Sequence, residues 1–206
     1  QFLIKARDAY EELARDADQD VELLYETGKA YTRVAKIDFR LGAYDDASRA
    51  YQRAIETFQK LAAADQSNPA VQLALAEAIA DSAAVPYALG RFAESERTFR
   101  EAAAMLEHLA NAFPNGPEHR HAWARVLINL AAVTAEIQQP AETERASRKA
   151  VEILESLPDD YPNSLVHLEL LANGYNELAM AEKAVGRLQE AEECYSKALA
   201  ALERFP

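Results

Sequence analysis

Three stretches of this chain repeat one pattern. LGAYDDASRAYQRAIETF at 41–58 returns as LGRFAESERTFREAAAML at 89–106 and as VGRLQEAEECYSKALAAL at 185–202. Gly42 and Gly90 stand 48 residues apart, and two further steps of 48 reach Gln138 and Gly186. The frame holds without a gap. Ala6, Ala54, Ala102, Ala150 and Ala198 share one column; Leu13, Leu61, Leu109, Leu157 and Phe205 share another; Tyr10, Phe58, Leu106, Leu154 and Leu202 share a third. A fixed period of this size marks a repeat array, in which one small unit cannot cover its own apolar face and stacks on its neighbours instead.

Each repeat reads as two long helices. Tyr51, Ala54, Phe58 and Leu61 recur at steps of 3, 4 and 3, and Trp123, Val126, Leu127, Leu130 and Val133 trace a similar face in a first helix. Helix starts fall in register: Asp20, Asn68, Gly116 and Ser164 share a column of accepted N-cap types, and Pro69 and Pro117 follow at the first helical position. The short turns around Gly42, Gly90 and Gly186 fold successive helices back on one another. The spacing predicts helices over 1–16, 21–41, 44–64, 69–89, 91–112, 117–137, 140–157, 165–185 and 187–205. Pro86, inside the fourth, is expected to kink or break it.

Composition narrows the class further. Among 206 residues half are apolar, Gly and Pro are few, and the formal net charge is −12. That charge argues against nucleic acid or an anionic membrane as a partner, since both require a basic footprint. No apolar run approaches the ~20 residues needed to span a bilayer. Cys194 stands alone, so no intrachain disulfide can form, and a cytoplasmic location is expected. Cys194 and Trp123 fall in helix-packing columns and are expected to pack. Both chain ends fall within second-type helices, and the chain reads as a piece of a longer protein.

At Gly42, Tyr44, Ala47, Tyr51 and Ala54 the sequence resembles the tetratricopeptide repeat (TPR), which places Gly, an aromatic, Ala, an aromatic and Ala at these steps. Gly90, Phe92, Ser95, Phe99 and Ala102 follow the pattern, as do Gly186, Leu188, Ala191, Tyr195 and Ala198. The resemblance covers the whole chain. It implies an all-α, right-handed superhelical solenoid of antiparallel helix pairs, with first helices lining a concave wall. One domain, 1–206, would comprise a half repeat (1–20) and repeats 21–68, 69–116, 117–164 and 165–206. The usual period is about 34 residues, so each repeat here is longer. This long-helix variety looks like arrays attached to some bacterial serine/threonine kinases and, more loosely, the kinesin light chain array. The third repeat departs from the pattern: Gln138, Pro140, Thr143 and Ser147 replace Gly, aromatic, Ala and aromatic. A looser turn with weaker amide protection is expected there.

The frame also places candidate binding residues on the wall. Lys29, Arg33, Lys36 and Arg40 recur at steps of 4, 3 and 4 on one helix face, flanked by Tyr25 and Phe39, with no carboxylate in the stripe. They suit an acidic segment or a terminal carboxylate of a bound peptide; the bland alternative is a solvated face or pairing with acids of the next helix. Tyr87 extends the wall in the second repeat. His121, Arg125 and Asn129 form a second stripe, and Asn173 and Asn176 follow on the next first helix, where they could hydrogen-bond a peptide backbone. His119 and His121 point about 200° apart on a helix and do not make a metal site. No catalytic constellation and no cofactor motif is present, so no enzyme activity and no cofactor is expected.

Three functions stay open from sequence. The first is a scaffold binding a protein or peptide on the concave face. The second is a non-catalytic regulatory or sensor region of a larger signalling enzyme such as a kinase. The third is a self-assembly module whose terminal helices stack end to end into a homo-oligomer.

Overall fold

A computed structural model of the chain describes residues 21–157 and 165–204. The helix expected over 1–16, the caps expected at Asp20 and Ser164, and Phe205 lie outside these residues. All regular structure among the described residues is helical: α1 (Val21–Arg40), α2 (Tyr44–Ala64), α3 (Pro69–Ser82), α4 (Ala84–Ala88), α5 (Phe92–Ala112), α6 (Pro117–Glu136), α7 (Pro140–Glu155), α8 (Leu165–Ala184) and α9 (Leu188–Glu203). Apart from the expected helix over 69–89, which is split into α3 and α4, each lies within a few residues of its expected span.

The local causes are those the sequence carries. Asn68 caps α3 through its side-chain oxygen, which accepts from the amides of Ala70 and Val71 at 3.1 and 3.3 Å. Pro69, Pro117 and Pro140 each sit at the start of a helix, where a missing N–H costs little. Pro86 cannot donate to the carbonyl four residues back, and the expected fourth helix is interrupted at Ala83 into α3 and α4. Ser95 of α5 donates its hydroxyl to the Ala83 carbonyl at 2.9 Å and so ties α5 to the break.

Packing divides the chain into two compact units, residues 1–105 and 106–206, with the boundary inside α5. In the first, α1 packs along α2 and α3 lies against α2. Val34, Ala35, Ala47, Ala50, Tyr51 and Val85 form a buried cluster, with Phe39 and Tyr44 packed against it. In the second, α6 packs with α7, α7 with α8 and α8 with α9, while α6 also touches α8. Val126, Val133, Leu154 and Ala179 are among its most buried side chains. The buried alanines at 47, 54, 150 and 179 are 0% exposed, and their small size lets neighbouring helices approach closely.

The four turns within the helix pairs have one geometry. Gly42 donates to Phe39 O at 3.0 Å and Ala43 to Asp38 O at 2.9 Å. The same two bonds recur from Gly90 and Arg91, and from Gly186 and Arg187. This is the Schellman termination, which needs a left-handed residue after the helix. Gly42, Gly90 and Gly186 supply it with φ of 77°, 71° and 83°. The third turn is not a different turn. Gln138 adopts φ 57° and donates to Ala135 O at 3.0 Å, and Gln139 donates to Thr134 O at 2.9 Å. A β-carbon in that region costs roughly 1 kcal/mol or more. Gln138→Gly is therefore expected to raise stability by about 0.5–1 kcal/mol in urea unfolding, net of the entropy glycine adds to the unfolded chain.

Candidate functional site

In the first unit the outer face of α1 carries the cationic stripe. Thr27, Gly28, Ala30, Val34, Ala35, Ile37 and Asp38 turn inward. Arg33, Lys36 and Arg40 are exposed and Lys29 is half-buried. The stripe is not without carboxylates. Lys29 Nζ lies 2.8 Å from Glu26 Oε1, one turn back on α1. Lys36 Nζ lies 2.7 Å from Asp81 Oδ2 on α3. The pairing with acids of the next helix is thus realised at Lys36, and the expectation of an un-neutralised stripe fails.

The flanking aromatics are drawn inward. Tyr25 is half-buried with its ring 5.8 Å from Phe58, edge-on. Phe39 is half-buried and 5.6 Å from Tyr44. Tyr87 keeps an exposed side while its ring meets Phe92 at 5.4 Å. These residues shape the wall more than they offer free area.

In the second unit α6 and α8 bring a polar set together. The rings of His121 and His167 lie 5.9 Å apart. Burial first, then His167 and Arg125, hold the His121 imidazole down to about 4, so it is neutral at physiological pH. Burial and then Arg204 lower His167 as well. His119 goes elsewhere: it is buried, with its ring 5.7 Å from Phe113. The two histidines of HRH therefore share no site. Among the described residues, no group of three or more His, Cys, Asp or Glu side chains is placed to hold a metal. Arg125 and Asn129 are half-buried on α6, and Asn173 and Asn176 are exposed on α8. Cys194 is half-buried, and burial raises its thiol, so little thiolate is present at neutral pH.

One feature of the second unit has no forerunner in the motif reading. Glu182 of α8 is 2% exposed, yet charged groups surround it. Arg148 of α7 donates to it at 2.5 Å, and Arg187 of the α8–α9 turn donates to its other oxygen. Both arginines also bond Glu144 of α7, Arg148 at 3.0 Å. The four side chains close a ring of alternating charge under the turn. Burial pushes the Glu144 carboxyl up, but the hydrogen bonds from Arg148 and Arg187 outweigh it and hold the group below the usual carboxylate range.

Helix pairs joined by left-handed turns and stacked at a fixed period are the fold of TPR-like repeat proteins. Solved structures of that class superpose on most of the chain. The crystal structure of BtubC (BKLC) from P. vanneervenii is 20% identical, with TM-score 0.71 over 96% of this chain and 70% of that one. A Podosopora anserina putative kinesin light chain with nearly identical TPR-like repeats is 17% identical, with TM-score 0.59 over 97% and 94%. A crystal structure of MamA is 18% identical, with TM-score 0.55 over 96% and 87%. At these identities the likeness is one of fold. No protein-family model matches the chain, and no curated protein matches it in sequence.

Proposed function

We propose that this chain is a non-catalytic scaffold that binds a protein or peptide segment along the outer faces of its first helices. The observation that carries the reading is the α1 stripe: Lys29, Arg33, Lys36 and Arg40 on one solvent face of a protein with net charge −12. A cationic face on an acidic molecule selects an acidic segment and steers its approach. The Lys36–Asp81 pair engages one lysine of the face, with Asp81 only 12% exposed, but the lysine side chain itself stays 52% exposed and within reach of a second carboxylate. The second unit has its own set: Arg125 and Asn129 of α6 with Asn173 and Asn176 of α8 offer donors and acceptors for a peptide backbone. Affinity then comes from several modest contacts.

The test is fluorescence anisotropy with a short Glu-rich peptide and its Gln-for-Glu counterpart. Reversing Arg33 and Arg40 to Glu should weaken the acidic peptide by about tenfold or more, the size of one or two charge-assisted contacts. Equal binding of the two peptides, or affinity unmoved by the reversals, would sink the reading.

A second reading rests on α9. Leu188, Tyr195, Leu199 and Leu202 are 66%, 40%, 58% and 43% exposed along one side of the helix. Three periods earlier, Tyr51 and Phe58, the counterparts of Tyr195 and Leu202, are 3% and 1% exposed. The α9 face is thus built like a core face, and a second copy of the chain is an occupant of matching chemistry. Molecular mass that rises with concentration, and returns to the monomer value in Leu199→Glu, is the expected result.

A further inference from the structure

The first two repeats close their turns with a pair of rings. Phe39 meets Tyr44 at 5.6 Å, tilted, and Tyr87 meets Phe92 at 5.4 Å, edge-on. In the first unit the Phe39–Tyr44 pair packs against the cluster that holds Val85. Two periods on, all three positions are cut back together: Phe39 becomes Ala135, Tyr44 becomes Pro140 and Val85 becomes Ala181.

The backbone has not closed over the loss. The third turn keeps both of its terminating hydrogen bonds, through Gln138 and Gln139. Thr134 and Thr143 bond each other at 2.9 Å and tie α6 to α7 at that level. What results is a cavity of about 290 Å³ lined by Ala135, Pro140 and Thr143 on one side and by Met180, Ala181 and Ala184 of α8 on the other.

We propose that this cavity receives one aromatic side chain of a bound protein segment. Its form is that left when a ring pair is removed, and the first two repeats show what such a space holds. The lining is nearly all carbon, so it selects by shape and burial and not by charge. Its volume falls at the lower edge of the ~300–1,000 Å³ range of ligand pockets, which suits a single side chain and not a cofactor. Met180 stands at the rim, 39% exposed, where a flexible thioether adapts to a ring and gains sulfur–aromatic contact. The inference rests on the scaffold reading only for the source of the ring.

The chain has two methionines, Met105 and Met180, so methyl-labelled methionine gives one reporter at the cavity and one away from it. Titration with N-acetylphenylalaninamide should move the Met180 methyl resonance saturably and leave Met105 in place, while N-acetylalaninamide moves neither. In the double variant Ala135→Phe, Pro140→Tyr the chain refills its own cavity. The Met180 response should then fall at least tenfold and the unfolding midpoint should rise. Ala184→Phe blocks the same space from the exposed rim and serves if the double variant does not fold. A silent Met180, an equal response to the alanine probe, or a response that survives in the refilled or blocked variant overturns the proposal. Reversal of Arg33 and Arg40 leaves this titration unchanged. An acidic peptide that binds the parent no better than its glutamine counterpart, with a retained Met180 shift, strikes the scaffold reading alone, and the converse strikes the cavity alone.

Discussion

Glu182→Ala should destabilise the protein by about 2–3 kcal/mol in chemical unfolding. Removing one partner of a fully buried ion pair typically costs about 3–5 kcal/mol, because the other charge is left desolvated and alone. Here the figure is lowered, since the Arg148 and Arg187 side chains are 58% and 41% exposed and water recovers part of their solvation. Glu182 itself has no such escape at 2% exposure. Its own carbonyl also accepts the 2.9 Å bond from the Arg187 amide that terminates α8. That backbone bond survives in the alanine variant, so the loss expected there reports the side chain and its charges alone.

Two controls separate this account from simple cavity formation. Glu182→Leu keeps most of the volume but not the charge, and it should leave the arginines as exposed as the alanine variant does. High salt should narrow the gap between parent and variant only in part, because the exposed arginines are screened and the buried oxygens are not. The pH dependence has a fixed sign. Glu144 is held below its ordinary range, so its contribution is present above the unfolded-state value and is lost as pH falls through the lowered one. Parent stability should therefore fall in acid, and Glu144→Gln should remove that part of the fall.

What the sequence makes legible follows from which features act locally. The glycine column, the proline at the first helical position and the Asn68 cap each dictate backbone within a few residues, so helix bounds could be read from the 48-residue frame. Pro86 broke its helix for the same local reason. The third turn shows the limit of that logic. Gln138 lacks glycine's freedom, and a looser turn was the natural expectation; yet the flanking helices impose the left-handed conformation and the residue absorbs the strain.

The stripe on α1 was visible because helical spacing is local. Its pairing through Lys36 and Asp81 was not, because it depends on the offset between two helices. Glu182 was hidden more deeply. Of its column-mates only Asp38 is also a buried carboxylate, while Pro86 and Thr134 share the burial without the charge, and one of its partners, Arg148, lies 34 residues away. The cavity at the third turn required two losses to be read jointly. The replacement of an aromatic by Pro140 marks a departure alone, but only with Ala135 opposite does it remove a packed pair.

The same frame predicts a compensated pair at the centre of the first unit. A β-carbon added at Gly28 would lie 2.6 Å from both Cε1 and Cζ of Phe58. Phe58 is 1% exposed and held edge-on by Tyr25, so the ring has no free space to enter. Gly28→Ala should therefore destabilise by about 1–3 kcal/mol, the usual cost of overpacking a full core. This runs against helix propensity, which alone would favour alanine by about 1 kcal/mol. The other repeats show the remedy. Where Gly28 stands, they carry Ala76, Ala124 and Ala172, and where Phe58 stands, they carry Leu106, Leu154 and Leu202. Small with large has been exchanged for intermediate with intermediate. Phe58→Leu alone should leave a cavity and lose about 1 kcal/mol or more. The double variant should recover to the parent's stability or exceed it, giving a favourable coupling of roughly 2 kcal/mol between two touching residues. A neutral Gly28→Ala, or a double variant no better than the sum of its parts, would show that the 48-residue period aligns residues without aligning the packing between them.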